Sequence, residues 1–192
     1  MQVNVAYKIS HEENMDFNTG PVYWLTGLSG AGKSTIGNLL AERLRLAGES
    51  VIYLDGDVLR EVFGHDRGHS LEDRLAVAYR NARLCRMLSE QGVTVVCATI
   101  SMFEEVRSWN REHITSYREI YLRVAMETLI KRDPKGIYAR ALEGKLDHVM
   151  GIDLPIEEPI SPDLILDNDG TQTPEDMAAR IQATFNSNKR MA

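Results

Sequence analysis

The most chemically specific stretch of the chain is Gly27-Leu28-Ser29-Gly30-Ala31-Gly32-Lys33-Ser34-Thr35, a glycine and four residues followed by Gly-Lys-Ser. Glycines here let successive backbone N–H groups turn toward one point and approach phosphate oxygens without a Cβ in the way. Lys33 adds a point charge for the β and γ phosphates of a nucleoside triphosphate, and the Ser34 hydroxyl is a ligand type for Mg²⁺. A helix beginning at this point brings its positive end to the same place. The expectation is a phosphate-binding loop for ATP and Mg²⁺, with Gly27 through Thr35 as the cofactor-binding residues.

A second group follows the next β-rich run, Leu54-Asp55-Gly56-Asp57 and then Arg60. A carboxylate at that strand end would sit across from the phosphate loop. Asp57 has two open roles, and spacing does not separate them. It is placed to organise Mg²⁺ or accept the proton of an attacking hydroxyl, and equally to cap a turn as the N-cap of a short helix. A switch GTPase is not expected, because the Asn-Lys pair Asn188-Lys189 has no acid after it. Nor do the five histidines show metal-ligand spacing.

These residues need elements to hold them. Short β-rich runs at 22–26, 50–54, 93–98, 119–124 and 163–166 alternate with helical patterns near 33–47, 71–91, 104–114, 126–132 and 174–187. The last helix has a marked start in Thr173-Pro174-Glu175-Asp176, an N-cap, a first-turn proline and early acids. Such alternation predicts an α/β fold, a doubly wound parallel sheet with helices on both faces and ligands at the carboxyl ends of the strands. The segment 133–162 is too long and too rich in Gly, Pro and charge for a plain connection, and about 133–153 reads as a lid. Residues 1–20 read as an N-terminal arm and 21–192 as one kinase-like domain.

Composition agrees. The chain has 192 residues, 43% hydrophobic and 26% charged, as an ordinary globule does. A net charge of −6 argues against general nucleic-acid binding, and no apolar run approaches the ~20 residues needed to cross a bilayer. The two cysteines, Cys85 and Cys97, exclude a disulfide scaffold and read as buried small hydrophobes. Free thiols and the lack of a secretory apolar stretch point to the cytoplasm.

Taken in order, Gly27 to Thr35, Leu54-Asp55-Gly56-Asp57 with Arg60, Glu72-Asp73-Arg74, Ile100-Ser101, Arg132-Asp133-Pro134-Lys135-Gly136-Ile137-Tyr138 and Gly151-Ile152-Asp153 resemble the adenylylsulfate kinase family from about Trp24 to Leu166. The resemblance implies a P-loop kinase, usually a homodimer, that phosphorylates a ribose 3′-hydroxyl of a small nucleotide-linked acceptor. Carried over by position, Lys33 and Asp57 are catalytic, with Asp57 the base or metal-organising carboxylate beside Ser34. Asp55, Arg60, Arg74, Ile100 and Ser101 line the acceptor, Lys135 closes from the lid, and Arg132 lies near the ATP adenine. Ser101 aligns with a serine described in the family as a phospho-intermediate, although direct in-line transfer needs no covalent stop.

The departures cluster in the acceptor pocket. The family's two adenine-clamping phenylalanines are His69 and Val149 here, its asparagine is Val77, and its proline after Ile-Ser is Met102. Base–aromatic stacking is worth ~1–3 kcal/mol per contact, so a different acceptor is the natural reading. The stretch Val95 to Phe103 with Trp109-Asn110-Arg111 is also similar to the cytidine diphosphoramidate kinases of capsule pathways, the alternative identity. A reading from another class, a regulatory module without catalysis, fits poorly with the retained Lys33, Asp57 and Asp133-Pro134-Lys135-Gly136.

Overall fold

The computed structural model describes residues 19–186. Its sheet has five parallel strands in the order β2-β3-β1-β4-β5. They are β1 (Val22–Thr26), β2 (Val51–Asp55), β3 (Thr94–Ala98), β4 (Tyr117–Arg123) and β5 (Leu164–Asp167). Every residue of β1 and β3 is buried, as expected of central strands covered on both faces. The helices are α1 (Lys33–Leu46), α2 (Gly56–Val62), α3 (Leu71–Ser89), α4 (Glu104–His113), α5 (Met126–Arg132), α6 (Ile137–Leu142) and α7 (Pro174–Asn186).

Side-chain parity on β3 places the layers. A Cβ on Gly37 of α1 would meet the Ala98 Cβ at 3.4 Å, whereas the Cys97 thiol lies against Cys85 of α3. Neighbouring strand residues point to opposite faces, so α1 and α3 cover opposite sides of the sheet. α1 buries Ile36, Leu40 and Leu44, one stripe at four-residue spacing, and packs with α7 through Met177, Ile181 and Phe185. Both cysteines are free and buried, as expected.

β1 has the expected bounds, and the other four strands differ from expectation by one or two residues, with reasons visible at particular ends. Asp163 drops out of β5, its carboxylate instead accepting a hydrogen bond from the Glu119 N–H at 2.7 Å. The short helix α2 is capped by Asp55, whose Oδ1 accepts from the Asp57 N–H at 2.9 Å, so the N-cap is Asp55 and not Asp57. The α7 start has the expected Thr173 N-cap: Asp176 N–H donates to Thr173 Oγ1 at 3.1 Å, and the Thr173 hydroxyl donates to the Asp176 carboxylate at 2.8 Å. Most of the expected N-terminal arm, residues 1–18, lies outside the described residues. Its last residue, Gly20, is already docked: its N–H reaches the Ser89 carbonyl at 2.9 Å and its own carbonyl accepts from Ser89 Oγ.

Between α4 and β4 lies a buried charge network. Arg107 is fully buried and donates to Glu104 from Nε (3.1 Å) and Nη2 (2.8 Å), with Glu119 3.4 Å away. Arg111 completes the network by pairing with both glutamates.

Candidate active site

The strand carboxyl ends open into a cavity of about 650 Å³. Its walls come from the phosphate loop, the β2–α2 corner, α3, the residues after β3, and the stretch 134–150. The phosphate loop leaves β1 and enters α1 through Gly32, whose φ of +92° is left-handed. A Cβ there would also come 2.7 Å from Asn168 Nδ2, which itself donates to the Ala31 carbonyl at 3.0 Å. Only glycine meets both demands. Tyr138 Oη holds the other side of the loop, donating to the Ser29 carbonyl at 2.9 Å.

Lys33 lies inside this loop and donates to the Leu28 carbonyl at 2.7 Å. Burial pushes its ammonium down to about 8, opposed by Asp57 and assisted by Lys135. A desolvated lysine beside inward-facing amides is a site that gains by receiving an anion.

The Asp55 carboxyl is pushed up by burial, but hydrogen bonds from Ser34, the Asp57 N–H and Tyr53 outweigh that and hold it below the ordinary range. Ser34 and Asp55 therefore form a hydroxyl–carboxylate pair at the foot of the phosphate loop. No group of three or more His, Cys, Asp or Glu able to hold a metal occurs among the described residues. That suits Mg²⁺, which is usually held by one or two protein oxygens and the substrate phosphates. Asp57 itself is exposed, and its carboxylate pairs with Lys135 from the far wall. The carboxylate beside Ser34 is thus Asp55, while the expected metal-side residue Asp57 faces Lys135.

The opposite wall of the cavity is built on α3 and the stretch 134–150. Arg74 donates to the His69 carbonyl at 3.0 Å and the His148 carbonyl at 2.7 Å, joining the loop before α3 to the expected lid segment. Arg60 donates to the Arg67 carbonyl at 2.8 Å. The His69 imidazole is lowered by burial and then by Arg60, Arg74 and His148, so it stays neutral and plate-like at neutral pH. Val149 is buried, and Asp153 fixes the turn that carries it by accepting from the His148 and Val149 N–H groups. Ser101 is held at φ +30°, a strained setting for a residue with a side chain. Its Oγ lies 2.9 Å from Thr99 Oγ1.

The cavity gathers Ser29, Gly30, Gly32, Lys33, Ser34, Thr35, Asp55, Asp57, Arg60, His69, Arg74, Val77, Ile100, Ser101, Lys135 and Val149. Gly27, Leu28 and Ala31 shape the loop from behind. Arg132 is outside the cavity, donating to the Asn168 carbonyl at 2.9 Å. Sequence reasoning passed over Asn81 and Asn168, and it named Tyr138 and Asp153 within motifs without giving either a role. The three- and four-residue spacing of Arg74, Val77 and Asn81 on α3 was the available signal for the first.

The sequence pattern described as Adenylylsulphate kinase matches residues 19–167. The chain belongs to the adenylylsulfate kinase family. Within this family of kinases, it is 42% identical over 151 residues to a cytidine diphosphoramidate kinase of Campylobacter jejuni, covering 79% of this chain and 88% of that protein. To an adenylyl-sulfate kinase of Bacillus licheniformis it is 39% identical over 168 residues, covering 86% of this chain and 84% of that one. The Mycobacterium tuberculosis APS kinase solved with AMPPNP and APS superposes with a TM-score of 0.82 at 32% identity, covering 88% and 98% of the two chains. Among the described residues no helix is long and apolar enough to cross a membrane.

Proposed function

We propose that this family member transfers the γ-phosphoryl group of ATP to a ribose hydroxyl of cytidine diphosphoramidate. The observation that carries the choice of acceptor is the wall made by His69 and Val149. Both line the cavity where the family resemblance puts a pair of aromatic rings. A purine there loses one stacking face outright, about 1–3 kcal/mol, whereas a smaller pyrimidine depends less on a double sandwich. The name of the Campylobacter relative supports the same choice.

Ser34 and Asp55 would hold Mg²⁺, whose chemistry is to neutralise the phosphate charge. Lys33 and the loop amides hold the β and γ phosphates, and Lys135 meets them from the lid. As the phosphates draw Lys135 away, the Asp57 carboxylate is freed to accept the hydroxyl proton. The acceptor oxygen bonds to the γ phosphorus while the bond to the β-phosphate oxygen breaks, and ADP leaves. Little covalent help is needed, so positioning and charge neutralisation dominate. The homodimer implied by the resemblance is part of this reading, and light scattering on purified protein tests it.

The deciding experiment is phosphoryl transfer from Mg-ATP with cytidine diphosphoramidate and adenylylsulfate at equal concentration. Preference for the cytidine compound supports the proposal. Preference for adenylylsulfate replaces it with sulfate activation.

A further inference from the structure

On α3, Arg74, Val77 and Asn81 follow one another at intervals of three and four residues, so they share one stripe of the helix. All three line the cavity. Asn81 lies about 10 Å beyond Arg74 along the helix axis, at ~1.5 Å per residue, on the side away from His69. The cavity therefore has an order along this wall. His69 stands at the base end, Arg60 and Arg74 supply cations next, and then come Val77 and Asn81, with Ala98 and Thr99 opposite on the β3 end. Val77, Asn81, Ala98 and Thr99 carry no charge themselves, and Asp55 neighbours Ala98 across the β2–β3 register.

Asn81 is fully buried, and neither Oδ1 nor Nδ2 has a hydrogen-bond partner among the described residues. Nearby Thr99 and Ser101 satisfy each other. Buried carboxamides are ordinarily paired, so one left open on a cavity wall is a place for a ligand's polar group.

We infer that Asn81 is a specificity-determining residue that reads the terminal group on the acceptor's phosphate and selects an amide there. The inference rests on the proposed nucleoside diphosphoramidate acceptor and deepens it. With the base at His69 and Val149 and the diphosphate between Arg60 and Arg74, the terminal group is the part that extends toward Asn81. A terminal sulfate or phosphate offers acceptor oxygens and asks for cations or donors. A terminal P–NH₂ offers an N–H donor beside a P–O acceptor. Oδ1 of Asn81 takes the N–H, and its Nδ2–H donates to the adjacent oxygen. Facing a terminal oxygen instead, Oδ1 would meet a lone pair.

The test crosses two bases with two ends: the diphosphoramidates of cytidine and adenosine, and the corresponding plain diphosphates. kcat/KM is measured for all four with wild type, Asn81→Leu and the smaller Asn81→Ser, after thermal melting and ATP binding confirm that each variant is folded. The expected result is a wild-type preference for the amide end of about tenfold or more with either base. Both variants should reduce that preference toward unity and shift the cytidine-to-adenosine ratio less than about twofold. If the variants change the base ratio and leave the end-group ratio intact, Asn81 reads the base and the inference is overturned. It also falls if neither ratio moves. Wild type that ignores both diphosphoramidates yet uses adenylylsulfate overturns the underlying function, a failure seen without any variant.

Discussion

Because burial brings the Lys33 ammonium down to about 8, the nucleotide-free protein begins to lose that charge just above neutrality. Phosphate oxygens favour the protonated form, so ATP binding should take up a proton in mildly alkaline solution. Affinity is expected to be flat below about pH 7 and to weaken as pH rises through about 8. Calorimetry in two buffers of different ionisation enthalpy reads this directly, and identical heats at alkaline pH would remove Lys33 from the phosphate site. The stability sign is the reverse. The folded value lies below the ordinary 10.5, so the unfolded chain binds more protons between the two, and this group's contribution to stability rises with pH across that window. His69 and Val149 carry the other residue-scale prediction. The double variant His69→Phe with Val149→Phe should raise kcat/KM for adenylylsulfate about tenfold, from restored stacking. No gain in steady-state kinetics would show that these positions do not contact the acceptor base.

At the scale of elements, the α4–β4 contact depends on charges inside the protein. Glu119 is buried between Arg107 and Arg111. Removing it leaves the fully buried Arg107 short of a partner, which costs about 3–5 kcal/mol when a buried pair is broken. Glu119→Ala is therefore expected to melt roughly 6–20 °C lower, at 2–4 °C per kcal/mol for a chain of this size. A melting temperature within a degree or two of wild type would mean the pair is energetically idle. This network also marks where the sequence was hard to read. Glu104, Arg107 and Arg111 look like a solvated helix face, because only tertiary packing tells a buried ion network from an exposed one. The central strands were legible for the opposite reason: β1 and β3 are buried on both faces and so spell continuous apolar runs. α2, seven residues long and opening on a glycine, has too little periodicity for its start to be placed, so sequence reasoning puts its cap two residues late, at Asp57 instead of Asp55. Asn81 reads as an ordinary polar position until the cavity beside it is known.

Over the whole molecule, the stretch from Asp133 to Asp153 ties separate parts of the cleft together. It touches the phosphate loop through Tyr138, the β2–α2 corner through Lys135, and α3 through the His148 carbonyl. We propose that this segment, held at both walls of the cavity, serves as its lid. Lys135→Ala should lower kcat about 10²-fold, the scale of a lost charge-stabilising donor, and speed tryptic cleavage at Lys145 in the nucleotide-free protein. Unchanged turnover would separate this segment from the chemistry.

α3 links that cleft to the opposite edge of the sheet. It runs 19 residues from Leu71 to Ser89, about 28 Å at ~1.5 Å per residue. Its first turn holds Arg74, and its last residue grips Gly20 by two hydrogen bonds. The described chain therefore enters the fold at Thr19 and Gly20, on the side of the sheet away from the catalytic mouth. Tethering the enzyme to a sensor surface or a bead through position 19 should leave the mouth facing solution, whereas a dye placed at that residue would sit too far from the mouth to report its closure by contact quenching.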